Sequence, residues 1–257
     1  MMPLRIHVVS QDDPFYMPLF FDAFLDSLPT PVQVKRITLL DSFNECFPRL
    51  LKRMYGFYGP LNFLRKGIRY SIRKTSDAMG IDSYSVPSVA AQHGVPVEHR
   101  NSVNTQEFVS RIGREQSDVL VSVSTPEIFD QSVLQAPEWG CINIHTSKLP
   151  EYRGMLPTFW AMYHDEDEFG VTVHTMVEEI DRGRILHQRS CVIKESDTLD
   201  TVIKRGKREG GDAAARVLAE IENGTVSMVP MNGEGSYFTF PTAKQRREFQ
   251  RRGNSLL

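Results

Sequence analysis

CINIHTSKLPEYRG, residues 141–154, is the segment on which the reading of this chain turns. It opens as an apolar run, yet Asn143 and His145 stand at alternate positions, and Pro150 and Gly154 break the run soon after. In a strand, residues two apart face the same side, so the amide and the imidazole project together from what reads as the end of a buried strand. Buried polar groups need partners, and an isolated N-x-H reads first as two core groups that satisfy each other and the nearby backbone. The surroundings favour chemistry. An irregular loop, SKLPEYRG, follows at once, and a second polar segment, VEEIDRGRIL (177–186), carries Asp181 in a turn-like stretch between two apolar runs. A carboxylate there orients His145. An amide donor and an imidazolium hold the oxyanion of an acyl-transfer intermediate, while imidazole and carboxylate manage the protons. No side-chain nucleophile is needed when the acceptor is an amine. Ser147 lacks the G-x-S-x-G elbow and reads as a loop-ordering hydroxyl.

Strands are expected at 4–10, 32–39, 94–100, 117–124, 140–147, 169–177 and 184–193. Between and after them, helical spacing marks PFYMPLFFDAFLDSL, DSFNECFPRLLKRMYGF (capped by Asp41 or Ser42, with Pro48 as an interruption), NTQEFVSRIGREQ, a short helix within 125–137 and a long helix over 198–224. The alternation predicts an α/β fold with an open, mostly parallel sheet, in which ligands bind at the carboxyl ends of the strands. Residues 143–147 lie at such an end. Residues 1–195 are expected to form the catalytic domain, with 196–257 a C-terminal helix and tail packed on it.

The bulk properties exclude several classes. At 257 residues and 40% hydrophobic, the chain suits one large domain, and a net charge of −2 gives no global pull toward nucleic acid or an anionic membrane. Cys46, Cys141 and Cys191 show no ligand spacing and read as small buried residues in a reducing compartment. The seven histidines include no pair with metal-ligand spacing, and His174 reads as a satisfied strand residue or pocket wall. With no signal peptide and no apolar run of spanning length, a cytoplasmic protein without integral membrane contact is expected. The basic amphipathic stretch 59–75 reads as a solvated cationic helix face, a membrane surface or polyanion being the alternative.

The segments CINIHTSKLPEYRGMLPTFWAM and GVTVHTMVEEIDRGRILHQ together resemble the formyltransferases that use N10-formyltetrahydrofolate: an N-x-H strand, an S-x-LP-x-x-x-G loop and a downstream D-x-G turn. The resemblance runs from about Val119 to Gln188 and implies a Rossmann-like sheet of the formyltransferase type. It implies a catalytic trio of Asn143, His145 and Asp181, with Asn143 and protonated His145 on the oxyanion and Asp181 supporting His145. It further implies a folate site between two backbone segments, at Glu127, Ile128 and Phe129 and at Glu178, Glu179 and Ile180. The acceptor is expected near Ser147, Tyr152, Arg153, Gly154 and Trp160.

Departures from relatives narrow the acceptor. The turn SQDDPFYMP after the first strand has no glycine and carries Asp12 and Asp13, a poor phosphate cradle, which argues against glycinamide ribonucleotide. After Ile193 only a helix and short tail follow, which argues against a tRNA-holding barrel. Formyltetrahydrofolate hydrolases resemble the core but carry a small domain ahead of it. YRGMLPTFWAM and GVTVHTMV are most similar to the amino-sugar branch. The expected partner is therefore a small-molecule amine, a nucleotide-linked amino sugar, with methionyl-tRNA, another small amine or hydrolysis as alternatives. Nucleic acid is not expected, and a homodimer is left open.

Overall fold

The computed structural model describes residues 3–41 and 47–257. In chain order they form β1 (Leu4–Gln11), α1 (Met17–Ser27), β2 (Val32–Leu40), α2 (Phe47–Ala78), α3 (Val86–Gln92), β3 (Val97–Arg100), α4 (Gln106–Arg114), β4 (Val119–Val123), α5 (Gln131–Leu134), β5 (Gly140–His145), β6 (Arg153–Gly154), α6 (Pro157–Tyr163), β7 (Glu168–Thr175), β8 (Arg184–Val192), α7 (Leu199–Glu222), β9 (Val229–Pro230), β10 (Tyr237–Phe238) and α8 (Ala243–Arg251). Eight strands make one sheet in the order β3-β2-β1-β4-β5-β7-β8-β9. The strands from β3 to β5 run parallel, and β7, β8 and β9 continue antiparallel. This is the mostly parallel α/β sheet expected. All five residues of β4 are buried, as a central strand covered on both faces requires. The strand order reverses between β1 and β4, the crevice where open α/β sheets bind ligands.

Alternation along β5 divides the core. Ile142 and Ile144 join the large apolar cluster under α1 and α7, where Phe20, Phe21 and Phe24 are buried. Cys141 joins the second cluster with Phe108, Phe129 and Val133 on the opposite face. Asn143 and His145 share the side of Cys141. Cys141 and Cys191 are buried free thiols; Cys46, and the expected helix start at Ser42, lie outside the described residues. Among the described residues α2 begins at Phe47, so Pro48 stands in its first described turn, where proline is tolerated. The break comes instead at Gly59, with φ +71, just before Pro60.

The tail returns to the body of the molecule. β10 pairs in parallel with β6, and Phe249 of α8 is fully buried, stacked on Phe159 at 4.8 Å. α7 starts with a capping box at Thr198 and presses against α1 through Gly211. A Cβ there would stand 2.6 Å from the carbonyl oxygen of Phe20 and 2.8 Å from the nitrogen of Phe24. Neither is a flexible side-chain end, so the two helix backbones must separate to admit it. Gly211→Ala is expected to lower stability by about 1–3 kcal/mol, read as a lower urea midpoint at unchanged m-value.

Candidate active site

Asp181 is aimed by backbone geometry. It adopts φ +49 and Gly183 φ +124. A Cβ on Gly183 would stand 2.0 Å from the carbonyl oxygen of Thr175, so this turn admits only glycine there. The turn reverses β7 into β8 and brings the carboxylate back over β5. Asp181 Oδ1 lies 3.5 Å from His145 Nδ1 and accepts from Asn143 Nδ2 at 3.4 Å. Asp181 Oδ2 accepts from the backbone N–H of Gly154 at 2.7 Å. The expected trio is therefore brought together, with the 150–154 loop tied to it.

The hydrogen-bond partners define the protons. His145 Nε2 stands 2.9 Å from the Tyr152 carbonyl, which only accepts, so Nε2 carries a hydrogen. Donation from Nδ1 to Asp181 then belongs to the doubly protonated ring. His174, next to Asn143 in the register, faces the carbonyls of Thr175 and Arg182 with Nδ1 at 2.9 and 3.2 Å. That fixes the Nδ1–H form and leaves Nε2 to accept from Asn143 Nδ2 at 3.2 Å. Burial pulls His174 below its ordinary value, outweighing the pull of Asp181. The satisfied strand histidine thus sets the orientation of the Asn143 amide.

The other expected residues divide. Phe129 is buried in the second core cluster, and Met176 packs against the same cluster. Glu127 accepts from Ser102 Oγ at 2.6 Å and from the Val103 N–H at 2.8 Å, bracing a loop. Ile128 is 62% exposed and Ile180 36%, while Glu178 is also exposed. Glu179 pairs with Arg153 at 3.0 Å and with Arg182 at 3.3 Å. Ser147 is buried and donates to the Glu151 carbonyl at 2.7 Å, the loop-ordering role. The Tyr152 hydroxyl donates to Glu166 at 2.6 Å. Trp160 corrects the expectation of an acceptor-lining ring. It is only 3% exposed, lies under Phe238 at 4.5 Å, and its Nε1–H is held by the carbonyls of Met155 and Thr239. It packs α6 to the tail.

Two features were absent from the sequence reading. Arg182 donates to the carbonyls of Gly233 and Glu234 at 2.8 and 2.6 Å, so the tail grips the Asp181 turn. At the switch point, Lys207 of α7 reaches Ser124, the residue after β4. Burial pulls its ammonium down to about 8 despite the attraction of Asp13. Burial likewise raises Asp13, against the hydrogen bond from the Phe15 N–H. The helical period of 198–224 offered a signal for Lys207 only once the face turned to the sheet was known.

The pH dependence follows from His174, and from His7, which burial also pulls down despite Glu115. Above the ordinary value of 6.5 neither folded nor unfolded chain binds these protons. Below it the unfolded chain takes them up first, so stability rises with pH and is lost as pH falls through that value. The thermal midpoint is expected to drop between about pH 7.5 and pH 5.5, with a smaller drop in His174→Gln, measured by circular dichroism.

Comparison with known proteins agrees with this architecture. A family model described as "Formyl transferase" matches residues 73–218. Methionyl-tRNA formyltransferase of Thermotoga neapolitana is 31% identical over 186 residues, 67% of this chain and 59% of that protein. The chain spans 46–59% of the length of the first curated relatives it matches. Glycinamide ribonucleotide transformylase 1 from Symbiobacterium toebii superposes with a TM-score of 0.61 at 16% identity, covering 89% of this chain and 95% of that one. An N-formyltransferase from Helicobacter canadensis, in complex with folinic acid and dTDP-3-aminofucose, superposes with a TM-score of 0.57 at 17% identity, covering 91% and 70%. These likenesses establish the fold, and the match over residues 73–218 establishes that the chain belongs to the formyl transferase family.

Proposed function

We propose that this protein transfers a formyl group from N10-formyltetrahydrofolate to a primary amine, with a nucleotide-linked amino sugar as acceptor. The observation that carries the reading is the convergence of Asn143, His145 and Asp181 within 3.5 Å at the carboxyl end of β5. The donor supplies an activated formyl carbon and a nitrogen that can leave. The residues present fit it: the segments that pack Phe129 and Met176 into one cluster also carry exposed Ile128, Val177 and Ile180, apolar side chains suited to a flat ring system.

The chain's own residues do the rest. The amine attacks the formyl carbon, one C–N bond forms, the bond to N10 breaks, and one proton passes from the amine to N10. Asn143 gives up its long 3.4 Å contact with Asp181 and donates to the formyl oxygen instead. His174 holds the amide in the orientation that permits this. Protonated His145, held through Nε2–H by the Tyr152 carbonyl, turns its Nδ1–H from the 3.5 Å contact with Asp181 to the formyl oxygen as the second donor. Asp181 accepts the amine proton and balances the imidazolium.

The Helicobacter protein, whose bound molecules are a folate and a nucleotide-linked amino sugar, supports this acceptor class. The Thermotoga relative supports a second reading, methionyl-tRNA. Mass spectrometry after incubation with the donor and a panel of sugar nucleotides, methionyl-tRNA and no acceptor tests both. A formylated sugar nucleotide is expected. Formylated methionyl-tRNA would promote the second reading, and formate alone would replace transfer by hydrolysis. Asn143→Ala is expected to lower kcat about 10²–10³-fold with donor affinity retained.

A further inference from the structure

The half of α2 beyond Gly59 carries a second apolar face. One side is fixed to the body: Lys66 pairs with Asp200 at 3.0 Å, Lys74 pairs with Asp12 at 3.2 Å, and Arg73 donates to the Pro14 carbonyl at 2.5 Å. On the opposite side Leu61, Leu64, Ile68 and Ile72 follow at spacings of three, four and four, and Met79 continues the line one heptad later. At 100° per residue these five fall on one stripe, and each is 53–68% exposed. Arg65 and Arg69 border the stripe and are exposed. The outward face is therefore apolar with a cationic margin, the amphipathic pattern expected of 59–75.

We propose that α2 from Pro60 onward is an interfacial helix that seats the protein on an anionic lipid bilayer. The charge distribution selects this occupant. The α2 segment holds eight Lys or Arg against a single acid, Asp77, in a chain whose net charge is −2. Asp77 is turned inward to the N–H of Tyr84. A second copy laid on the stripe would set Arg65 and Arg69 against the same arginines, with no carboxylate on α2 to answer them. A bilayer with anionic headgroups accepts both the apolar stripe and its arginine margin, and a helix of this polarity lies in the interface plane rather than spanning it. Among the described residues no helix is long and apolar enough to cross a membrane. The contacts to Asp12 and Pro14 place α2 at the carboxyl end of β1, the same sheet edge as Asn143 and His145.

The inference does not depend on the formyl-transfer reading, and its test does not use activity. The intact protein is sedimented with vesicles of phosphatidylcholine alone and of phosphatidylcholine with phosphatidylglycerol, at rising salt. Leu64→Glu/Ile68→Glu and Arg65→Glu/Arg69→Glu are compared, with thermal melts to confirm folding. Wild type is expected to pellet with the anionic vesicles and to be released by salt, and each variant to partition at least about tenfold more weakly. Wild type left in the supernatant at low salt, or variants that bind as well as wild type, overturns the proposal. So does a wild-type dimer in sedimentation velocity that ignores vesicles and dissociates in either variant. If the glutamates in the stripe prevent folding, the arginine pair decides.

Discussion

Two oxygens of one carboxylate hold the site together. Asp181 Oδ2 takes the Gly154 N–H, and Oδ1 stands within 3.5 Å of both Asn143 and His145. The end of β5 and the loop that follows it meet the β7–β8 turn there, some way along the chain. The left-handed backbone of Asp181 costs on the order of 1–2 kcal/mol for a residue with a Cβ. Its neighbours oppose that cost, through a glycine that alone fits at 183 and an arginine at 182 held by tail carbonyls. The tail is thereby part of the site's frame although it contributes none of the trio.

A second polar knot joins α2 to the body. Lys66 is buried against Asp200, Tyr16 and the Phe15 ring, at 3.0, 2.9 and 3.8 Å. Burial would raise the Asp200 carboxyl, but Lys204, Lys66 and Tyr16 outweigh it and bring it to about 2. Removing one partner of such a pair typically costs about 3–5 kcal/mol, because the other charge is left buried. The knot decides which side of α2 faces inward. The exposed apolar stripe is thus a consequence of where Lys66 is anchored, and it is presented at the sheet edge that holds the trio.

Local pattern carried much of this into the sequence. The apolar runs of β1, β4, β5 and β7 announce buried strands, and the short patterns N-x-H and D-x-G carry the family resemblance that implies the trio. What depended on distant contacts was not legible. His174 became a positioning residue only through the pairing of β5 with β7, which sets it beside Asn143. Trp160 looked free to line a pocket until Phe238, far along the chain, covered it. The two-residue ladder of β6 and β10 is too short to leave a periodic signal. Lys207 and the inner face of α2 likewise required knowing which helix face meets the sheet.

The central claim is that the Asp181 carboxylate organises a proton-handling formyl-transfer site, and Asp181→Asn tests it most directly. The substitution keeps an oxygen to accept from Gly154 while removing the charge and the proton acceptor. Single-turnover transfer from N10-formyltetrahydrofolate, measured beside donor affinity and the thermal midpoint, is expected to slow by at least about 100-fold with affinity and midpoint little changed. Transfer at the wild-type rate in the folded, donor-binding variant would contradict the account.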